Sequence, residues 1–161
     1  MARLFGTDGV RGIANVELTC EMAYRLGQAA AIYLGKTIVV GRDTRRSGDM
    51  LGAALSAGIM SAGGTVLEAG IIPTPGVALL VREMRAAGGA VISASHNPPE
   101  YNGIKFFARG GFKLPDSKED DIEAVLGQDW DRPTGAGVGR VSHETVTATN
   151  LYIDHLVSTI A

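Results

Sequence analysis

Ser95, His96 and Lys105 bring a hydroxyl, an imidazole and an ammonium group into one short stretch, Gly89 to Phe107, which reads GAVISASHNPPEYNGIKFF. A serine beside a histidine suits nucleophilic hydrolysis. A serine among cations suits a carried phosphoryl group. Serine, asparagine and proline together also make an ordinary polar turn. The hydrolase pair is the weaker functional alternative, because no G-x-S-x-G elbow surrounds Ser95. Neighbours on an extended strand also point to opposite faces, so His96 faces away from Ser95 unless the backbone kinks. A phosphoryl group adds about two negative charges and needs cations and amide donors around it.

Lys105 is one such cation, and two arginine-bearing segments supply others. In Gly41 to Gly48, GRDTRRSG, the arginines Arg42, Arg45 and Arg46 surround Asp43. The segment follows an apolar strand, Thr37 to Val40, and precedes a helix opened by Ser47, which is where open α/β sheets bind anions. A solvated basic loop fixed by Arg42–Asp43 pairing is the plain alternative. In Leu4 to Gly12, LFGTDGVRG, glycines at 6, 9 and 12 flank Thr7, Asp8 and Arg11. They permit close backbone approach to a ligand, and the Arg11 fork suits phosphate. The alternative here is a glycine-rich turn with a solvated arginine. No helix opens directly from these glycines, so they are no dinucleotide fingerprint. The acidic run Glu119-Asp120-Asp121 fans around a helix surface and favours the helix dipole over a metal site.

The three segments LFGTDGVRG, GRDTRRSG and ISASHNPPEYNGIKFF, in that order between residues 4 and 107, closely resemble the motifs of the α-D-phosphohexomutase family. The resemblance covers the first of that family's four domains. It implies a phosphorylated Ser95 that donates its phosphoryl group to a phosphosugar, forms a sugar bisphosphate and recovers a phosphoryl group from it. It further implies one Mg²⁺ per site, bound through the phosphorylated Ser95. The family's remaining metal ligands come from a D-G-D-x-D-R loop of the second domain, which is absent from this sequence. By the same resemblance Lys105 is the acid/base or charge stabiliser, and His96 and Arg11 orient the group. Thr7, Asp8, Arg42, Asp43, Arg45 and Asn97 form its surroundings. The wording of the motifs implies interconversion of glucosamine 6-phosphate and glucosamine 1-phosphate. Mannose or glucose phosphates are the alternative substrates, and a non-catalytic binding module that keeps the fold is the alternative of another class. The implied partners are the phosphosugar, the bisphosphate and the remaining domains of the same enzyme.

The elements that position these residues follow from periodicity. Thr37–Val40, Thr65–Leu67, Ala90–Ile92 and Ile104–Phe107 read as strands, the third stopped near Asn97 by Pro98-Pro99 and turned back at Asn102-Gly103. Phe112–Leu114 is a candidate edge strand. Thr19 caps a helix with apolar positions at Met22, Leu26, Ala29, Ala30 and Tyr33, ended by Gly35. Further helices are expected from Ser47 to Met60, Gly76 to Met84, Lys118 to Leu126 (capped by Asp116) and Thr147 to Ile160. Thr74-Pro75 reads as a structural cap and first turn. Alternating strands and helices predict a three-layer α/β/α sandwich with a mixed, mainly parallel four-stranded sheet. Residues 1–146 are expected to form the phosphoserine-bearing domain, and 147–161 a helix leading toward a second domain. The 161 residues suffice for one core, so the chain is expected to fold alone but not to catalyse. A net charge of -2 and an aromatic share of 6% disfavour nucleic acid. The lone Cys20, with no leader and no 18-residue apolar run, suits a cytoplasmic protein that does not engage a membrane.

Overall fold

Apolar residues in the strands divide between two faces, and helices cover both. The computed structural model describes residues 3–160. In chain order the elements are β1 (Val10–Ile13), α1 (Cys20–Tyr33), β2 (Thr37–Arg42), α2 (Ser47–Ser61), β3 (Thr65–Ile71), α3 (Thr74–Glu83), β4 (Gly88–Ile92), β5 (Tyr101–Ala108), α4 (Asp116–Val125), β6 (Val141–His143) and α5 (Thr145–Ser158). The sheet order is β1-β5-β4-β2-β3-β6. β4, β2, β3 and β6 pair in parallel, and β5 runs antiparallel to both of its neighbours. Ile38, Val40, Ala90, Ile92, Ile104 and Phe106 belong to one core with α1, α2 and α4. Val39, Val91 and Phe107 belong to a second core with α3 and with Ala148 of α5. Strands buried on both faces read as continuous apolar runs, which is why β2 and β4 stand out in the sequence. Leu26, Leu51, Leu55 and Ile59 carry the α1 and α2 stripes and are fully buried.

The three-layer mixed sheet is the expected one, but it has six strands and not four. β1 begins inside the glycine-rich LFGTDGVRG segment and ends one residue past it, where the sequence carries no alternation of apolar residues. β6 is only three residues long and pairs with β3 at the sheet edge. Phe112–Leu114 forms no strand; Lys113 makes a single bridge to Phe107. Three cap assignments also change, the first being Thr74, which is the first residue of α3 after the cap position Pro73. Ser47 lies inside α2, whose cap position is Arg46, and its hydroxyl accepts from Asn102 Nδ2 at 2.9 Å. α4 begins at Asp116 after Pro115, with no side-chain cap. Thr19 does cap α1, accepting from the Met22 N–H at 3.3 Å. α3 and α5 each start two residues before the expected position. No helix among the described residues is long and apolar enough to cross a membrane.

Glu119 on α4 ties the N-terminal segment down through Arg3 Nη2 at 3.3 Å. Its side chain is only 5% exposed, and burial raises its carboxyl above the ordinary value, against the pull of Lys113 and Arg3. A raised pKa in the folded state favours folding while the acid stays protonated, and that contribution is lost as pH rises through the folded pKa. Glu119→Gln is therefore expected to melt with the wild-type chain near pH 4 and above it at pH 7, as followed by thermal denaturation. A mutant less stable at pH 7 than at pH 4, relative to wild type, contradicts this assignment.

Candidate active site

Parallel strands β2 and β4 are neighbours, so the loops that follow them emerge side by side. α2 leads from β2 to β3 on one side, and α3 crosses to β4 on the other. The loop after β2 leads into α2 and the loop after β4 turns back into antiparallel β5, so both lie at the C-terminal edge of the parallel strands, where α/β sheets bind ligands. Arg42 to Arg46 and Ser93 to Glu100 lie at that edge.

β4 ends at Ile92, short of Asn97. Ser93 continues the pairing with an N–H bond to the Gly103 carbonyl at 2.9 Å, and then Ser95 adopts φ 57°. Left-handed backbone at a non-glycine residue costs roughly 1–3 kcal/mol and persists only where the surroundings enforce it. This kink, more than the two prolines, ends the strand. It also places His96 Nδ1 3.3 Å from Ser95 Oγ, so the two side chains do not face apart as an extended strand requires. The chain turns back at Pro98 to Tyr101, where the Tyr101 N–H bonds the Pro98 carbonyl at 3.0 Å. Asn102 and Gly103 lie within β5 and form no turn. Gly103 is needed there because a Cβ would come within 2.7 Å of the Ser93 carbonyl and 2.9 Å of Arg11 Cγ.

Alternation along β5 sets Lys105 on the α3 face with Phe107, opposite Val91 of β4. Its ammonium stands 5.7 Å from the centre of the Phe107 ring. β1 pairs with β5 so that Arg11 faces Gly103. A cavity of about 210 Å³ results, lined by Asp8, Arg11, Thr74, Val91, Ser93, Ser95 and Lys105. Arg11 lies 3.7 Å from Asp8, and its Nε is buried without a hydrogen-bond partner among the described residues. The planar guanidinium of a lining arginine is a donor of the kind that suits an anion. A larger cavity of about 470 Å³ lies beside the start of α1, around Cys20, Tyr24 and Trp130, away from these groups.

Arg45 uses its whole guanidinium to hold the loop that carries Ser95. Nη1 donates to the carbonyls of Pro98 at 2.7 Å and Tyr101 at 3.0 Å. Nη2 donates to those of Ser95 at 3.1 Å and Asn97 at 2.7 Å. Nε pairs with Asp43 at 3.2 Å. With its donors so engaged, Arg45 organises the loop and is not free for a ligand. Asn97 contributes its backbone to this clamp. Arg42 sits apart: it pairs with Asp49 at 2.8 Å and lines a separate cavity with Glu68 and His143. Thr7 is exposed in the tight turn between Gly6 and Gly9 and does not line the Ser95 cavity. Sequence reasoning missed Ser93 and Thr74, which do line it. Ser93 shares the Val91 face of β4, a signal available once the strand register is known.

Asp8 is the one carboxylate lining the cavity among the described residues, and Arg11 is beside it. Asp43 is engaged by Ser93 and Arg45. No group of three His, Cys, Asp or Glu side chains among the described residues converges on a point. These residues alone therefore do not complete a Mg²⁺ shell, which requires near-octahedral oxygen coordination.

A doubly covered α/β sheet with a serine presented among cations at the carboxyl edge of its parallel strands is the arrangement with which an α/β domain can bind an anion. The chain belongs to the phosphoglucomutase/phosphomannomutase family, whose alpha/beta/alpha domain I matches residues 2–131. The chain is 67% identical to phosphoglucosamine mutase of Bifidobacterium adolescentis, over all of this chain and 37% of that protein. It is 56% identical to phosphoglucosamine mutase of Carboxydothermus hydrogenoformans, over 99% of this chain and 38% of that one. A phosphoglucomutase/phosphomannomutase family protein of known structure from Burkholderia thailandensis superposes with a TM-score of 0.79 at 28% identity, over 97% of this chain and 35% of that one. The chain thus spans little more than a third of the length of these relatives.

Proposed function

We propose that this chain is the phosphoryl-carrying domain of a phosphoglucosamine mutase of its relatives' length, called below the full-length enzyme. Such an enzyme interconverts glucosamine 6-phosphate and glucosamine 1-phosphate, for synthesis of UDP-N-acetylglucosamine and cell-wall precursors. The observation that carries the reading is the exposed Ser95, held in a left-handed turn beside a cavity that Lys105 and Arg11 also line. In the forward step a sugar hydroxyl oxygen forms a bond to phosphorus and the bond from phosphorus to Ser95 Oγ breaks. The sugar hydroxyl gives up its proton to a base, and Ser95 Oγ takes one up. Reversal at the other end of the bisphosphate returns a phosphoryl group to Ser95. Lys105 stands where it can neutralise the transferring group or exchange the proton. Arg11 provides a planar donor to its oxygens, and His96 orients Oγ. Transfer of this kind depends on positioning and charge neutralisation more than on covalent help from the protein. Mg²⁺ belongs to the same proposal: it supplies further charge neutralisation, with an oxygen on phosphorylated Ser95 as this chain's ligand and the rest from the remainder of the enzyme.

The test is a substrate panel on the full-length enzyme, primed with glucose 1,6-bisphosphate and Mg²⁺. Glucosamine 6-phosphate is expected to exceed mannose 6-phosphate and glucose 6-phosphate in kcat/KM by about tenfold or more, the scale one or two selective polar contacts provide. A preference for mannose or glucose phosphate makes the enzyme a phosphomannomutase or phosphoglucomutase of the same family. Absence of both turnover and phosphoryl uptake makes the domain a binding module.

A further inference from the structure

Ser93, Ser95 and Thr74 all bring hydroxyls to the cavity, and the three are not alike. Ser93 Oγ donates to Asp43 Oδ2 at 2.7 Å and accepts the Ser95 N–H at 3.1 Å, so its bonds are made before any ligand arrives. Ser95 Oγ, 3.3 Å from His96 Nδ1, is the proposed carrier atom. Thr74 is the first residue of α3, and no side-chain capping bond uses its hydroxyl. Pro73 precedes it and Pro75 follows, so neither neighbour has a backbone N–H to offer. Thr74 is half-buried, and among the described lining residues it is the one that a helix contributes. The other polar side chains in the lining are charged: Lys105 and Arg11 as cations, and Asp8 as the carboxylate beside Arg11.

We propose that the Thr74 hydroxyl is a hydrogen-bond donor to the phosphoryl group on Ser95, the neutral one beside the cations Lys105 and Arg11. The proposal rests on the reading of Ser95 as the phosphoryl carrier. A phosphoryl group presents three strong acceptor oxygens, and its transfer spreads charge over all three. Lys105 and Arg11 reach the cavity from strands β5 and β1, whereas Thr74 reaches it from α3. The three donors thus come from three elements that do not belong to the loop carrying Ser95. A hydroxyl that donates to an ionised oxygen makes a bond roughly twice as strong as a neutral pair. The amino end of α3 adds its partial positive charge on the same side. Thr74 keeps its proton throughout, so the bonds made and broken are those of the transfer itself. The hydroxyl meets the transferring group and not the other phosphate of the sugar, so its loss falls on kcat and on phosphoryl uptake, with KM little changed. Removal of one preorganised donor from developing charge costs about 10²- to 10³-fold in rate.

Thr74→Val, Thr74→Ser and Ser95→Ala in the full-length enzyme decide the matter, each followed by intact mass during reaction with glucose 1,6-bisphosphate and by steady-state kinetics with glucosamine 6-phosphate. Thr74→Val keeps the branched shape and removes only the hydroxyl. It is expected to take up the phosphoryl group and turn over about 10²-fold more slowly. KM should stay within about threefold, and Thr74→Ser, which keeps the donor, should recover most of the rate. If Thr74→Val does not fold, Thr74→Ala takes its place with the same expected loss. Uptake by Thr74→Val within about twofold of wild type, with none by Ser95→Ala, overturns the proposal and leaves the carrier reading intact. A folded Thr74→Ser as slow as Thr74→Val overturns it as well, and so does a loss confined to KM. Uptake by Ser95→Ala removes the carrier reading, and the proposal with it.

Discussion

Ser95→Ala in the full-length enzyme is expected to abolish mutase turnover, by at least about 10⁴-fold, the scale seen when a nucleophile that acts with its neighbours as a unit is removed. The other hydroxyls that line the cavity, Ser93 and Thr74, are differently situated. Ser93 Oγ gives its proton to Asp43 at 2.7 Å and accepts the Ser95 N–H. Thr74 belongs to the first turn of α3, a separate element from the 93–97 loop. The loss is chemical and not structural, since Ser95 is exposed and exposed substitutions change stability by about 0.5 kcal/mol or less. Ser95→Gly sharpens the distinction. Glycine adopts φ 57° without strain, so this variant is expected to melt at or above the wild-type temperature while remaining inactive. Activity above one hundredth of wild type in either variant contradicts the role given to Ser95.

Lys105→Ala is expected to lower kcat by about 10²- to 10⁴-fold, the contribution of a positioned acid, base or charge stabiliser. The lysine reaches the cavity from the α3 face of β5, beside Val91, and rests near Phe107. No carboxylate among the described residues pairs with it. It is therefore poised to meet an anion brought to Ser95, and its removal breaks no ion pair of the fold. The melting temperature should shift little, since the cation–π contact is worth about 0.5–1 kcal/mol. Lys105→Arg keeps the charge but replaces a compact ammonium with a planar fork, so it is expected to recover only part of the rate. Near-normal turnover in Lys105→Ala marks an ordinary strand lysine and removes it from the site.

Much of this arrangement was legible in the sequence because its signals are local. Val39-Val40 and Ala90-Val91-Ile92 announce buried strands, and loops at the carboxyl ends of such strands carry the ligand chemistry. Ser95 follows from that logic, whereas Lys105 on β5 and Arg11 on β1 stood out by their cationic chemistry and the resemblance of their motifs. What stayed hidden depends on partners far along the chain. β1 carries glycines where apolar alternation would mark a strand, and it exists because β5 pairs with it. Ser47 resembles a helix cap, but Asn102, on another strand, claims its hydroxyl. Asn102-Gly103 has the composition of a tight turn, but Gly103 is small to let Arg11 and the Ser93 carbonyl pass close by. The separation of Arg42 from Arg45 follows from the end of β2, where adjacent residues diverge to Asp49 and to the 95–101 loop. The left-handed turn at Ser95 is set by the Asp43–Arg45 clamp, and no feature of ISASHNPP alone requires it.

The central claim is that Ser95 is the atom-level carrier of the phosphoryl group. The most direct measurement is tandem mass spectrometry of the full-length enzyme after brief reaction with glucose 1,6-bisphosphate, with fragment ions that separate Ser93 from Ser95. The account predicts one phosphoryl group, on Ser95, removed again by excess glucosamine 6-phosphate as the bisphosphate appears. A phosphoryl group on Ser93, or on any residue outside the 93–97 loop, contradicts it.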